Sequence, residues 1–169
     1  VQLEDFEQAE AIFVFGQNPG TNHPRMLGDL RKAALRGAAV VTFNPLKERG
    51  LVKFSDPKKA GDMLLGGVNI SAEYFQVRPG GDRAVAKGIM KLLLDADRAN
   101  GGVIDHEFIA EHMEGYDTLV ADLDATEWSQ IETLSGLTRA ELQIAADIYR
   151  TSERTIFTWA MGITQQPDA

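Results

Sequence analysis

Two short, mainly apolar segments lie on either side of an amphipathic segment near the start of the chain, and this pattern restricts the possible folds more than any other feature of the sequence. Residues 11–15 (AIFVF) and 38–43 (AAVVTF) each predict a strand buried on both faces. Between them, Pro24 suits the first turn of a helix and Gly37 suits its end. A strand, a helix and a strand in this order predict a βαβ unit, whose strands lie parallel in a sheet covered on both faces.

Further elements continue the α/β pattern along the chain. We predict an irregular stretch over 47–72 with one short element near Met63–Leu65, a weak strand over Tyr74–Val77 and an apolar strand over Thr155–Ala160. Capping residues and apolar spacing predict later helices, which begin at Asp82, Asp105, Tyr116 and Thr138. The predicted fold class is α/β, a Rossmann-like open and mostly parallel sheet with flanking helices, in a single domain over residues 1–169.

Charge is unevenly distributed along the sequence. The chain has 17 Lys and Arg residues against 25 Asp and Glu residues, a net charge of −8. Residues 17–91 instead hold 13 basic and 6 acidic side chains, whereas residues 101–169 hold 3 and 13. A positive first half suits an anionic ligand and an acidic second half suits a solvated face, although ordinary variation between helix surfaces explains the charge alone more simply.

Several kinds of site are excluded by composition and motif. The 169 residues include no cysteine, which excludes a disulfide, a thiolate metal site and a cysteine-bound iron–sulfur cluster within them. His106 and His112 are six residues apart and fall on different faces of one helix, so we expect no metal site there. Neither a GxGxxG nor a GxxxxGK[ST] motif occurs, and no apolar run approaches the roughly 20 residues that span a bilayer.

Loops that follow the predicted strands are the expected ligand-binding segments. Ligands of open parallel sheets bind beyond the carboxyl ends of the strands, where helix N-termini also point. This rule selects Gly16–His23, Asn44–Arg49, Arg78–Asp82 and Met161–Gln165. Glycine in such loops lets the backbone approach a ligand closely, and free N–H groups at a helix start suit phosphate oxygens.

Some residues in or beside these loops have two interpretations. The Asp82 carboxylate can accept parallel hydrogen bonds from the N1–H and N2–H₂ groups of a guanine, or it simply caps a helix, which the sequence alone favours. Asn44 suits a ribose contact or an ordinary turn equally. For Met161, beside Trp159, core packing is favoured over a cofactor contact.

Four sequence motifs carry a family resemblance. They are FGQNPGTNHP at 15–24, NP at 44–45, RPGGD at 78–82 and WAMGITQ at 159–165. In this order and spacing they resemble the molybdopterin oxidoreductase family, in particular formate-dehydrogenase-like alpha subunits. The resemblance covers nearly the whole chain, and four ordered motifs are far more specific than any one of them.

The resemblance implies that this domain holds one half of a bis-molybdopterin guanine dinucleotide cofactor with molybdenum, bound by the full chain. By position, the first loop lines phosphate and pterin, the second flanks the guanosine ribose, the third meets the guanine, and the fourth lies nearer the pterin. The expected cofactor-binding residues are Gln17, Asn18, Thr21, Asn22, Asn44, Pro45, Arg78, Gly80, Asp82, Met161, Gly162 and Gln165.

The resemblance also implies a parent enzyme that performs two-electron redox chemistry on formate or a similar small substrate. Its molybdenum-ligating cysteine or selenocysteine, and any iron–sulfur cysteines, are expected to precede this segment, so we expect no catalytic or metal-binding residue here. The expected partners are the remainder of the chain and the substrate, without nucleic acid or membrane, in the cytoplasm. The alternatives are a non-catalytic Rossmann-type nucleotide-binding module and an interaction domain whose acidic half docks a partner.

Overall fold

Strands from the two ends of the chain meet in one parallel sheet. The computed structural model describes residues 2–59, 61–62 and 66–166. The strands are β1 (Ala11–Phe15), β2 (Ala39–Phe43), β3 (Lys53–Phe54), β4 (Val68–Asn69), β5 (Glu73–Phe75) and β6 (Thr155–Trp159). Four of them form a sheet in the order β5-β2-β1-β6, with every neighbouring pair parallel. The predicted Rossmann-like α/β class is confirmed.

Helices cover both faces of this sheet. After a 3-10 turn over Leu3–Glu7, the helices are α1 (Pro19–Asn22), α2 (Pro24–Arg36), α3 (Arg49–Val52), α4 (Asp82–Asn100), α5 (His106–His112), α6 (Tyr116–Ala125), α7 (Trp128–Ser135), α8 (Arg139–Thr151) and α9 (Met161–Thr164). Within the described ranges, none of these helices is long and apolar enough to cross a membrane.

Strand β1 lies between two apolar cores because its side chains alternate between the faces of the sheet. Ile12 and Val14 join a core that includes Leu30 of α2. Phe13, on the other face, joins a core that includes Leu142 of α8. Burial on both sides explains why this strand is a continuous apolar run rather than an alternating one.

Helix boundaries follow local chemistry. Pro24 occupies the first turn of α2, and Gly37 ends that helix in the left-handed conformation with φ of 96°. At the start of α8 the Thr138 hydroxyl accepts from the Glu141 amide at 3.3 Å, while the Glu141 carboxylate accepts from the Thr138 amide at 2.8 Å. The predicted capping box is therefore confirmed.

Three predictions from the sequence need correction. Part of the predicted polar loop before Pro24 is the short helix α1, because the Asn18 side chain accepts from the Thr21 amide. The stretch after β2 also contains an antiparallel pair, β3 with β4, whose two-residue strands are too short to produce a hydrophobic period. The third parallel strand lies at Glu73–Phe75 rather than 74–77. The element predicted near Met63–Leu65 lies outside the described residues.

Candidate functional site

The carboxyl ends of all four parallel strands lie along one edge of the sheet. Phe15, the last residue of β1, is in register with Phe43 of β2 and with Trp159 of β6. Phe43 is in turn in register with Phe75 of β5. The segments that follow these residues are therefore neighbours, as expected for the ligand-binding edge of an open parallel sheet.

Asp82 is the most unusual polar residue at this edge. It is only 6% exposed, at the start of α4. Its Oδ2 accepts a hydrogen bond of 2.7 Å from the Gln166 side-chain amide, whereas its Oδ1 is buried and has no partner among the described residues. A buried carboxylate oxygen without a donor costs free energy, so it is a candidate contact for a ligand.

Asp82 does not cap α4, contrary to the interpretation that the sequence alone favoured. The N-cap is Gly81, and Asp82 is the first helical residue, with no side-chain bond to the helix backbone. Gly81 is required there because a Cβ would lie 2.7 Å from the Leu134 carbonyl oxygen and 2.9 Å from that of Arg78. Close packing of the turn against the end of α7 therefore determines where the helix begins.

Asn44 links the ends of β2 and β1. It is buried, and its Nδ2 donates to the Gln17 carbonyl oxygen at 3.0 Å. Its backbone amide donates to the Phe75 carbonyl oxygen at 3.1 Å. Gln17 Oε1 is also buried and has no partner among the described residues. Asn44 therefore orders the loop that carries Gln17, rather than serving as an exposed turn residue.

Hydrogen bonds to both polar atoms of its side-chain amide fix the orientation of Asn18. Its Oδ1 accepts from the Thr21 amide at 3.3 Å, and its Nδ2 donates to Glu48 Oε2 at 2.7 Å. The Glu48 amide in turn donates to the Tyr74 hydroxyl at 3.0 Å, and that hydroxyl donates to the Leu46 carbonyl oxygen at 2.7 Å. Burial raises the pKa of Tyr74, which keeps its hydroxyl protonated as a donor.

Arg78 holds two loops together. Its guanidinium donates to the Thr133 carbonyl oxygen at 2.6 Å, and its backbone amide donates to the Ser135 carbonyl oxygen at 2.8 Å. Gly136 permits this approach, since a Cβ there would lie 2.8 Å from the Arg78 side chain. Gly80 is exposed, with φ of 81°. The structure therefore gives Arg78 a supporting role behind the turn that carries Asp82.

The segment after β6 crosses the loop after β1. A Cβ on Gly16, whose φ is 56°, would lie 3.2 Å from the Gly162 backbone, and a Cβ on Gly162 would collide with the Gly16 carbonyl. Both positions therefore require glycine. The core interpretation of Met161 is wrong, because its side chain is 63% exposed. Trp159, the last residue of the edge strand β6, is 59% exposed as well.

The remaining predicted residues lie at the same edge and are accessible. Thr21, Asn22 and Gln165 are exposed. Pro45 is partly buried, and its carbonyl oxygen accepts from the Gln76 side chain at 3.3 Å. All twelve predicted residues thus lie in the loops and helix starts that follow the parallel strands, and their role toward a cofactor stays a prediction.

Sequence reasoning missed Gln166 and Glu48. Gln166 adjoins the predicted Gln165, but nothing in the sequence indicates which of two consecutive glutamines turns toward Asp82. Glu48 lies inside a selected loop, but its bond to Asn18 joins residues 30 positions apart, which no local pattern indicates. Both residues are recognisable only from their contacts across the fold.

Two concave surfaces of the molecule lie away from this edge. A cavity of about 430 Å³ is lined by residues of α5 and α6, including Ile109, Met113 and Tyr116. A second, of about 280 Å³, lies between Arg36 and Arg154. Over the described parts of the chain, no group of three or more His, Asp or Glu side chains is arranged to hold a metal ion. The candidate site is thus an edge of converging loops.

Comparison with known proteins gives close relatives along the whole chain. No protein-family model matches it. Protein YdeP of Escherichia coli strain K12 is 44% identical over 171 residues, which is 98% of this chain and 22% of YdeP. An uncharacterized oxidoreductase of Mycobacterium bovis is 42% identical over 175 residues, all of this chain and 22% of that protein. The chain thus spans about a fifth of the length of these relatives.

More distant similarities connect the chain to proteins of named activity. The alpha subunit of an F420-dependent formate dehydrogenase from Methanococcus maripaludis is 26% identical over 163 residues, 96% of this chain and 21% of that subunit. Together with the motifs at the sheet edge, these similarities support a molybdopterin-enzyme domain family. They do not single out a formate-dehydrogenase-like member, because the two relatives described above carry no such name.

One solved structure shows the same fold. Acetylene hydratase from Pelobacter acetylenicus matches with a TM-score of 0.72 over 93% of this chain and 19% of that protein. The sequence identity is only 18%, so this similarity concerns the fold and not the activity.

Proposed function

We propose that this chain is a cofactor-binding domain of a molybdenum oxidoreductase that resembles formate dehydrogenase. The proposed cofactor is bis-molybdopterin guanine dinucleotide, and this domain holds one of its two molybdopterin guanine dinucleotide halves. The observation that carries the proposal is Asp82, a buried carboxylate at the ligand-binding edge, one oxygen of which has no partner among the described residues. When bound, the cofactor supplies the two-electron chemistry, and the protein supplies binding and orientation.

The donor set at Asp82 fits a guanine. A carboxylate offers two acceptor oxygens in one plane, and the guanine edge offers N1–H and N2–H₂ donors in one plane. Asp82 Oδ1 is buried and without a donor among the described residues, so a base donor there satisfies an atom that these residues leave unsatisfied. Adenine lacks this pair of donors, so the carboxylate selects guanine over adenine.

The remaining loops support the phosphate and pterin parts of the proposed cofactor. Thr21 and Asn22 are exposed immediately before the thirteen-residue helix α2, whose N-terminus favours negative charge. Residues 17–91 carry 13 basic against 6 acidic side chains, which suits a pyrophosphate. The exposed Met161 and Gln165 extend the surface toward the rest of the proposed enzyme.

This domain provides binding and not the metal ligand in the proposed enzyme. The chain contains no cysteine, so it offers no thiolate to molybdenum. We propose that a cysteine or selenocysteine ligand and the site for formate or a similar small substrate lie in the remainder of the full-length protein. A bound cofactor would then bridge that remainder and the loops described above.

Nucleotide selectivity in the full-length protein, purified from cells that make no molybdenum cofactor, tests the site. We expect GDP to bind about tenfold or more tightly than ADP, which lacks the N1–H and N2 amine donors, because a hydrogen bond to a charged group contributes about 1.5–3 kcal/mol. IDP, which keeps N1–H but lacks the N2 amine, should also bind more tightly than ADP. Isothermal titration or displacement of a fluorescent guanine nucleotide measures each affinity.

Matched variants assign that selectivity to Asp82. Asp82→Asn places an amide donor toward the base and should abolish the preference for GDP over ADP. The control is Asp105→Asn, which removes another helix-starting carboxylate that lies outside the four loops and caps α5. Thermal unfolding of each variant shows that it is folded. Equal binding of GDP, IDP and ADP by the wild-type protein would contradict the proposal.

A further inference from the structure

Gln166 uses both donors of its side-chain amide at the candidate site. The Nε2 atom donates to Asp82 Oδ2 at 2.7 Å and to the Gly162 carbonyl oxygen at 2.6 Å. A primary amide nitrogen carries two hydrogens, so both are engaged. One of these bonds closes the short turn around α9, and the other reaches 84 positions back along the chain to α4.

The segment that carries Gln166 crosses the ligand-binding edge of the sheet. It begins after β6, whereas Asp82 follows β5, and these strands lie at opposite ends of the order β5-β2-β1-β6. Between them, Gly162 lies against Gly16 after β1. The Gln166–Asp82 hydrogen bond therefore closes residues 160–166 over the edge as a strap, fastened at the carboxylate.

We propose that Gln166 competes with guanine for the Asp82 carboxylate. This competition lowers the affinity of the site for guanine nucleotides and so influences nucleotide specificity and release. The inference rests on the proposed function, in which a guanine uses both oxygens of Asp82. Oδ1 is without a partner among the described residues, but Oδ2 already accepts from Gln166, so a base that uses both oxygens must replace that hydrogen bond. Guanine binding then displaces Gln166 from Asp82 and breaks the hydrogen bond that holds residues 160–166 to α4.

If Gln166 competes with guanine for Asp82, its removal has a different effect on nucleotide binding than if Gln166 only supports the structure of the site. IDP retains N1–H but has no exocyclic amine, so it needs one carboxylate oxygen and can bind at Oδ1 with Gln166 in place. GDP needs both oxygens and must break the Gln166 bond. Removing the Gln166 amide should therefore improve GDP binding much more than IDP binding, whereas loss of structural support would weaken both.

The experiment compares Gln166→Ala and Gln166→Met with Gln165→Ala in the full-length, cofactor-free protein, using GDP and IDP as probes. Gln166→Met keeps the length of the side chain without its donors, which guards against a packing defect in the alanine variant. Both Gln166 variants should bind GDP about tenfold more tightly, the scale of one hydrogen bond to a charged acceptor, and IDP less than about twofold more tightly. Gln165→Ala, which changes an exposed neighbour, should match the wild type.

The outcomes separate this inference from the function on which it rests. Unchanged or weaker GDP binding in both Gln166 variants, with a wild-type protein that prefers GDP over ADP, overturns the competition and leaves the proposed function intact. A wild-type protein without any guanine preference overturns both. The inference is supported if the ratio of GDP affinity to IDP affinity is larger in both Gln166 variants than in the wild type. It is supported further if a protease cleaves residues 160–166 of the wild-type protein faster when GDP is bound.

Discussion

The two buried aspartates Asp62 and Asp82 differ in how many of their carboxylate oxygens are hydrogen-bonded. Asp62 is nearly as buried as Asp82, but both of its oxygens are satisfied: Oδ2 accepts from Arg31 Nε at 2.6 Å and from the Asp56 amide at 3.0 Å, and Oδ1 pairs with the Arg31 guanidinium. Asp82 has one satisfied oxygen among the described contacts. The first arrangement is complete without a ligand, and the second is not.

The Asp62 carboxylate should make stability depend on pH in a defined window. The hydrogen bond from Arg31, then that from the Asp56 amide, lowers its pKa below the ordinary 3.8. A lowered pKa in the folded state stabilises the fold fully above the unfolded value, and the contribution is lost as pH falls through the folded value. We therefore expect Asp62→Asn to destabilise the protein most at neutral pH and progressively less below about pH 4.

Urea unfolding between about pH 7 and about pH 2.5, which brackets the ordinary aspartate pKa, measures this difference. Asp29→Asn is the matched control, because Asp29 makes only a 3.5 Å surface contact with Lys32 and such pairs contribute little. A destabilisation by Asp62→Asn that stays constant over the whole pH range would show that the charge of Asp62 does not stabilise the fold.

At the scale of elements, close helix packing depends on a glycine in α4. A Cβ on Gly88 would lie 2.6 Å from Leu142 of α8 and 3.0 Å from Ile131 of α7, and both of these side chains are buried. A Cβ on Gly28, within α2, would have no described neighbour within 4 Å. The two glycines share a helical setting but differ in their surroundings.

These two positions should respond oppositely to alanine. Gly28→Ala should stabilise the protein by about 0.5–1 kcal/mol, because alanine favours helix over glycine. Gly88→Ala gains the same preference but overpacks the core, at a cost of about 1–3 kcal/mol, so it should be neutral or destabilising. Chemical unfolding measures both, and equal stabilisation by the two substitutions would contradict the described packing of α4.

The sequence predicted long elements better than contacts between them. Ala11–Phe15, the helix after Pro24 and the Thr138 capping box carry strong local signals, and all are present. The β3–β4 pair was missed because two-residue strands have no period. Gly81 displaced Asp82 as N-cap because of packing against α7, which no local pattern reveals.

At the scale of the molecule, the two differently charged halves partly neutralise each other. Lys87 and Arg98 of α4 pair with Asp122 and Asp124 of α6 at 2.6 and 2.7 Å. Part of the acidic excess after residue 100 is thus matched by basic side chains of α4. The net charge of −8 therefore describes neither the basic first part of the chain nor the acidic second part.

The candidate site was predictable as a set of loops but not as a set of contacts. The rule that ligands bind at the carboxyl edge of a parallel sheet requires only strand order, which the apolar runs indicate. The buried state of Asp82, its bond to Gln166 and the crossing of Gly16 by Gly162 depend on residues far apart in the chain. Such contacts need the folded structure.

The most direct test of the central claim is the cofactor content of the full-length protein, purified under gentle conditions from its own host. Metal analysis and mass spectrometry of released nucleotides should find molybdenum together with guanine nucleotide in molar excess over the metal, and Asp82→Asn should reduce both in a folded protein. Guanine nucleotide without molybdenum would instead support a nucleotide-binding module. A folded, full-length protein that contains neither molybdenum nor a pterin guanine nucleotide would contradict the account.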